Sequence, residues 1–129
     1  MVLKFMEVKA KKILIIDDDS RNIFALTAVL KAKKYTCLSA TSARKGFSLI
    51  ENDADISLVL MDMMMPDMDG YQAIAKMKEL PKLKDIPVIA VTAQAMVGDK
   101  ERCLDAGAAG YVSKPINIDE LVNHINKHL

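Results

Sequence analysis

The side chains of this chain best suited to chemistry sit where short apolar runs stop. Asp17, Asp18 and Asp19 follow Ile13–Ile16, Asp62 follows Leu58–Met61, Thr92 and Ala93 follow Val88–Val91, and Lys114 with Pro115 follows Tyr111–Ser113. If those runs are strands of one sheet, at least three carboxylates converge at its end. Two ionised carboxylates ~4 Å apart repel by about 4 kcal/mol at an effective dielectric of about 20. Such a cluster requires a cation, a shared proton or an ion pair, and Lys114 neutralises only one charge. A site rich in oxygen and free of thiol and imidazole fits Mg²⁺, with Mn²⁺ or Ca²⁺ able to substitute. A carboxylate can also attack phosphorus and form an acyl phosphate. The transferred group spreads charge over three oxygens. A metal takes one, the Lys114 ammonium another, and the Thr92 hydroxyl with the Ala93 amide the third.

The intervening segments explain how those groups are held. Ile13–Ile16, Leu58–Met61 and Val88–Val91 are continuous apolar runs, the pattern of parallel strands covered on both faces. Tyr35–Ser39 and Tyr111–Ser113 are mixed, as edge strands are. Ser20 is placed to cap a helix burying Ile23, Leu26 and Leu30, and Thr41 or Ser42 one burying Ala43, Phe47 and Ile50. Asp69 can cap a third helix, with Ala73, Ile74, Met77 and Leu80 on its apolar side. Asp99 can cap a fourth that Gly107 ends. Asn117 with Glu120 opens a fifth, striped by Ile118, Leu121, Val122, Ile125 and Leu129.

Five β-α units in succession predict a three-layer, doubly wound α/β fold, its parallel five-stranded sheet in the order 2-1-3-4-5. The site of such a fold lies beyond the carboxyl ends of strands 1 and 3.

Composition narrows the classes further. At 129 residues, 51% apolar and with a net charge of +1, the chain is one globular domain, and nothing favours nucleic acid or a membrane surface as a direct partner. Cys37 and Cys103 have no metal-type spacing and read as free thiols. Without an apolar run of signal-peptide or membrane-span length, the expected location is the cytoplasm. Residues 1–11 read as an N-terminal tail and 12–129 as the domain.

Four motifs in order carry a family resemblance: apolar-IleAspAspAsp at 16–19, MetAspMetMetMetProAspMetAspGly at 61–70, ValThrAla at 91–93, and AlaGlyAlaAlaGlyTyrValSerLysPro at 106–115. With them the chain resembles, from Lys12 to Leu129, the receiver domains of bacterial two-component response regulators. The 2-1-3-4-5 order is itself exemplified by this family. The resemblance implies that Asp62 is the phosphorylated residue of a phosphorelay. Asp18 and the Met64 carbonyl would bind Mg²⁺ directly and Asp17 largely through water. Thr92 and Tyr111 would be the switch pair, Lys114 would contact the phosphoryl group, and the Lys114–Pro115 peptide would be cis. It further implies a histidine kinase or histidine phosphotransfer protein as donor, docking near the first helix. A downstream protein, or a second copy forming a homodimer, would read the face made by the fourth helix, fifth strand and fifth helix. Such a domain is a signalling protein rather than an enzyme, though it promotes its own phosphotransfer and dephosphorylation.

Other readings fit less well. A flavodoxin-like carrier needs hydroxyls and amides, not three aspartates, after strand 1. A haloacid-dehalogenase-type phosphatase leaves Asp62 unexplained. An EF-hand fails at Met65 and Lys76. The methionines near Asp62 read as apolar packing, with Met61 in the core and the others around the acceptor. Met64, two residues beyond Asp62, is placed to slow hydrolysis of an acyl phosphate, and Gln94, two beyond Thr92, to orient the water. His124 and His128 read as surface residues of the last helix.

Overall fold

The computed structural model describes residues 11–93 and 98–129. Strands β1 (Lys12–Ile16), β2 (Thr36–Ala40), β3 (Ile56–Asp62), β4 (Val88–Thr92) and β5 (Gly110–Ser113) alternate with helices α1 (Ser20–Ala32), α2 (Ala43–Asn52), α3 (Gly70–Glu79), α4 (Asp99–Ala106) and α5 (Ile118–His128). The sheet is parallel in the order β2-β1-β3-β4-β5, as the apolar runs predict.

Alternation along the strands divides the core in two. Ile13 and Ile15 join Leu58, Leu60 and Ile89 beneath α1 and α5, through Leu26, Leu30, Leu121 and Ile125. Leu14 and Ile16 join Val59, Met61 and Ala90 beneath α2, α3 and α4, through Ile50, Ile74, Met77 and Cys103. Each fully buried Leu or Ile contributes about 2 kcal/mol, and both faces of β1, β3 and β4 are filled this way.

The helix starts follow the predicted cap chemistry with two corrections. Ser42 caps α2 by accepting from the Lys45 amide. Asp69 forms a capping box with Gln72 at α3, and Asn117 accepts from the Glu120 amide at α5. The cap of α1 is Asp19 rather than Ser20: its Oδ1 accepts from the Arg21 amide at 2.9 Å, and Ser20 is the first helical residue. That bond holds the Asp19 carboxyl below its ordinary range. Nor does Asp99 cap α4. Gly98, with φ of 87°, takes that position, and Asp99 is drawn into the protein as the first helical residue. Gly107 ends α4 at φ of 116°, a left-handed conformation that glycine enters without a Cβ penalty.

Two side-chain expectations are also revised. Met63 and Met65 are buried in the core rather than standing open around the acceptor. His124 is half-buried, because its ring packs on the backbone of Gly110 in β5. Among the described residues no helix is long and apolar enough to cross a membrane.

Candidate functional site

Neighbouring strands bring the predicted groups to one place. At the end of β1 the Asp17 amide donates to the Ala40 carbonyl of β2 at 3.1 Å. The Asp17 Oδ1 then accepts from the Asp19 amide at 2.9 Å, which turns the chain into α1. Asp62 ends β3 opposite Val91 of β4, and the Met63 amide continues the ladder to the Val91 carbonyl. Thr92 ends β4 opposite Ser113 of β5, and the Lys114 amide donates to the Thr92 carbonyl at 2.7 Å. Strand register therefore sets Asp17, Asp62, Thr92 and Lys114 along one sheet edge. The Lys114–Pro115 peptide bond is cis.

Carboxylate oxygens of Asp17, Asp18 and Asp62 lie within 4.8 Å of one another. Asp17 and Asp62 are buried, at 4% and 5% exposure, whereas Asp18 faces solvent. The Lys114 ammonium stands 3.9 Å from both Asp17 and Asp62, too far for a direct hydrogen bond. Burial pushes the Asp62 carboxyl above its ordinary value; the Met64 amide, donating to its Oδ1 at 3.1 Å, pulls the other way, Asp17 adds to the rise, and Lys114 opposes it. Three carboxylates and one ammonium leave the cluster short of positive charge. That imbalance among oxygen donors fits a divalent cation held by Asp17, Asp18 and Asp62.

Thr92 is buried, at 1% exposure, and Ala93 is exposed at the start of the following loop. Gln94 lies outside the described residues. Met64 is 52% exposed beside the cluster. A groove of about 670 Å³ runs past Asp18, Met64, Thr92 and Tyr71 towards Asp99 and Arg102.

The far end of that groove leads to side-chain contacts the sequence did not reveal. The buried Asp99 accepts from the Tyr71 hydroxyl at 2.8 Å and from the Tyr111 hydroxyl at 3.5 Å. The Arg102 guanidinium lies 4.4 Å from the Tyr71 ring centroid. Burial, then the Asp99 carboxylate, pushes both tyrosines' titration upward. Tyr71 and Asp99 are 28 residues apart; a polar residue at a helix start ordinarily reads as a cap, so no local pattern distinguishes this contact.

A parallel sheet in this order, with an acidic cluster and a lysine at its switch point, defines a class of signalling domains. Residues 13–126 match the family "Response regulator receiver domain", and the chain belongs to that family. It is 33% identical over 120 residues to the polar-differentiation response regulator DivK of Brucella ovis, covering 92% of this chain and 96% of that protein. Similar crystal structures include the following two. One is a CheY-like response regulator receiver domain protein from Methanospirillum hungatei (TM-score 0.80, 32% identity, 92% of each chain). The other is the receiver domain of a signal transduction histidine kinase from Syntrophus aciditrophicus (TM-score 0.82, 29% identity, 93% of this chain and 90% of that one).

Proposed function

We propose that the domain is the phospho-acceptor of a two-component phosphorelay, with Asp62 as the residue that receives the phosphoryl group. The observation that carries this is the buried Asp62 carboxylate, grouped with Asp17 and Asp18 and facing Lys114. Asp17, Asp18, Asp62 and the Met64 carbonyl would hold Mg²⁺, which when bound supplies charge neutralisation for the transferred group. An Asp62 oxygen attacks the phosphorus of a donor phosphohistidine, the P–N bond breaks, and an acyl phosphate forms. The Lys114 ammonium and the Thr92 hydroxyl, with the Ala93 amide, take the remaining phosphoryl oxygens. Water later cleaves the acyl phosphate; the apolar Met64 side chain slows that step and Gln94 assists it.

The donor is a histidine kinase or histidine phosphotransfer protein. Two features of α1 fit a protein donor. Phe24 is 77% exposed, and a mostly apolar groove of about 250 Å³ between α1 and the chain after β5 ends at Asp17 and Lys114. Such an apolar approach to a charged centre suits a partner that must shed water while aiming one side chain at Asp62.

Phosphorylation then draws Thr92 to the new group. Tyr111 responds, and the face formed by α4, β5 and α5 changes for a downstream protein or a second copy of the chain.

Intact mass after incubation with acetyl phosphate, with and without Mg²⁺, tests this. A gain of ~80 Da that requires metal, is lost in Asp62→Asn and is cleaved by hydroxylamine is the expected result. A gain that survives in Asp62→Asn would name a different nucleophile.

A further inference from the structure

The described methionines divide sharply by exposure. Met61, Met63 and Met77 are at most 1% exposed, Met65 is 6% exposed and Met68 is half-buried, while Met64 is 52% exposed. The amide of Met64 is tied to Asp62 Oδ1 at 3.1 Å, so the residue cannot drift from the acceptor. Its side chain lines the groove that also reaches Asp18 and Thr92. The one well-exposed thioether among the described residues thus belongs to the residue whose amide donates to the carboxylate that defines the site.

We propose that Met64 is a redox-modification site, at which a peroxide-class oxidant makes the sulfoxide and shortens the life of the phosphorylated domain. The sulfur lone pair attacks one peroxide oxygen and the O–O bond breaks. The thioether gains an oxygen and loses two electrons, and hydrogen peroxide leaves as water. Buried sulfurs in the core are shielded from this reaction, and Met64 is not. The product changes the polarity of one wall of the site. A methyl thioether offers water almost no hydrogen bond, whereas a sulfoxide oxygen is a strong acceptor. Water held by that oxygen lies beside the acyl phosphate, and the slowing effect of an apolar neighbour becomes assistance. Because sulfoxide reductases restore the thioether, the change is reversible. This consequence rests on the phospho-acceptor reading of Asp62; the reactivity of Met64 does not.

The test uses the intact chain and dilute hydrogen peroxide. Peptide mapping with fragmentation locates the added oxygen, and intact mass follows decay of the phosphoryl group loaded from acetyl phosphate. Met64 is expected to oxidise ahead of Met61, Met63, Met65 and Met77, and the phosphorylated lifetime to fall about fivefold. Sulfoxide reductase should restore it. Met64→Leu should show no change in lifetime with peroxide, and Met64→Asn, which carries an acceptor permanently, should decay faster without it. Oxidation of the buried methionines before Met64, an unchanged or longer lifetime, or an equal peroxide response in Met64→Leu overturns the proposal. If the unoxidised chain gains no phosphoryl group from any donor, the reading of Asp62 falls and takes the lifetime claim with it, while the peptide map still decides whether Met64 is the reactive sulfur.

Discussion

Replacing Asp62 by Asn is expected to stabilise the metal-free protein. The Asp62 carboxylate is 5% exposed, so its charge is held with little water. Its oxygens lie within 4.8 Å of those of Asp17 and Asp18, a distance at which each ionised pair repels by about 3.5 kcal/mol or more at an effective dielectric of about 20. Asp18 is exposed, and water screens its share to under about 1 kcal/mol. The Lys114 ammonium at 3.9 Å returns about 4 kcal/mol on the same scale. Asp17 and Lys114 therefore nearly cancel, and what remains against the native residue is burial of its charge plus the residual repulsion from Asp18. Asparagine keeps the size of the side chain and an acceptor oxygen for the Met64 amide, so little but charge is removed. The net gain should be about 1–2 kcal/mol, or a rise of about 5 °C in Tm for a domain of this size. Thermal unfolding followed by circular dichroism in EDTA reads this directly. Adding Mg²⁺ should then reverse the order, since binding at about 100 times Kd stabilises the wild type by about 2.7 kcal/mol and the variant much less. A metal-free Asp62→Asn protein no more stable than wild type, with both stabilised equally by Mg²⁺, would refute the account of the cluster as an incomplete cation site.

Three other outcomes follow from the same geometry. Burial holds the Asp62 carboxyl above its ordinary 3.8, so the folded state binds that proton more tightly than the unfolded state does. The cost of its charge is present above the raised pKa and relieved as pH falls through it; the stability gap between Asp62→Asn and wild type in EDTA should close on acidification, and stabilisation by Mg²⁺ should fade over the same range. Phe24→Ala should slow transfer from a protein phosphodonor about tenfold, while transfer from acetyl phosphate, which needs no docking, keeps its rate; equal losses with both donors would assign Phe24 a structural role. At Gly70 an added Cβ would lie 2.2 Å from Met63 Sδ and 2.7 Å from the Met63 Cα, so Gly70→Ala should cost about 3 kcal/mol in urea unfolding, and a cost below about 1 kcal/mol would show that α3 can shift away from β3 freely.

The cluster was legible in the sequence because a doubly buried parallel strand leaves two kinds of mark. Ile13–Ile16, Leu58–Met61 and Val88–Val91 are apolar without alternation, and the first polar residue after each run is held at the sheet edge by the register of its neighbours. Asp17, Asp62 and Thr92 are those residues, so reading strand ends amounts to reading the site. Contacts between side chains from distant helix starts leave no such mark. Asp69 and Asp99 both stand at helix starts and look alike as caps, yet Asp69 bonds its own helix and Asp99 bonds Tyr71 and Tyr111. The difference lies in Gly98, which adopts the left-handed conformation and takes over the cap position, freeing the next carboxylate to turn inward. The methionines divide for a similar reason. Met63 is buried where Gly70 lets α3 approach closely, Met65 is buried as well, and Met64 between them faces out. That alternation leaves an oxidisable apolar side chain beside Asp62, so the packing of its neighbours and the chemistry at Met64 belong to one stretch of chain.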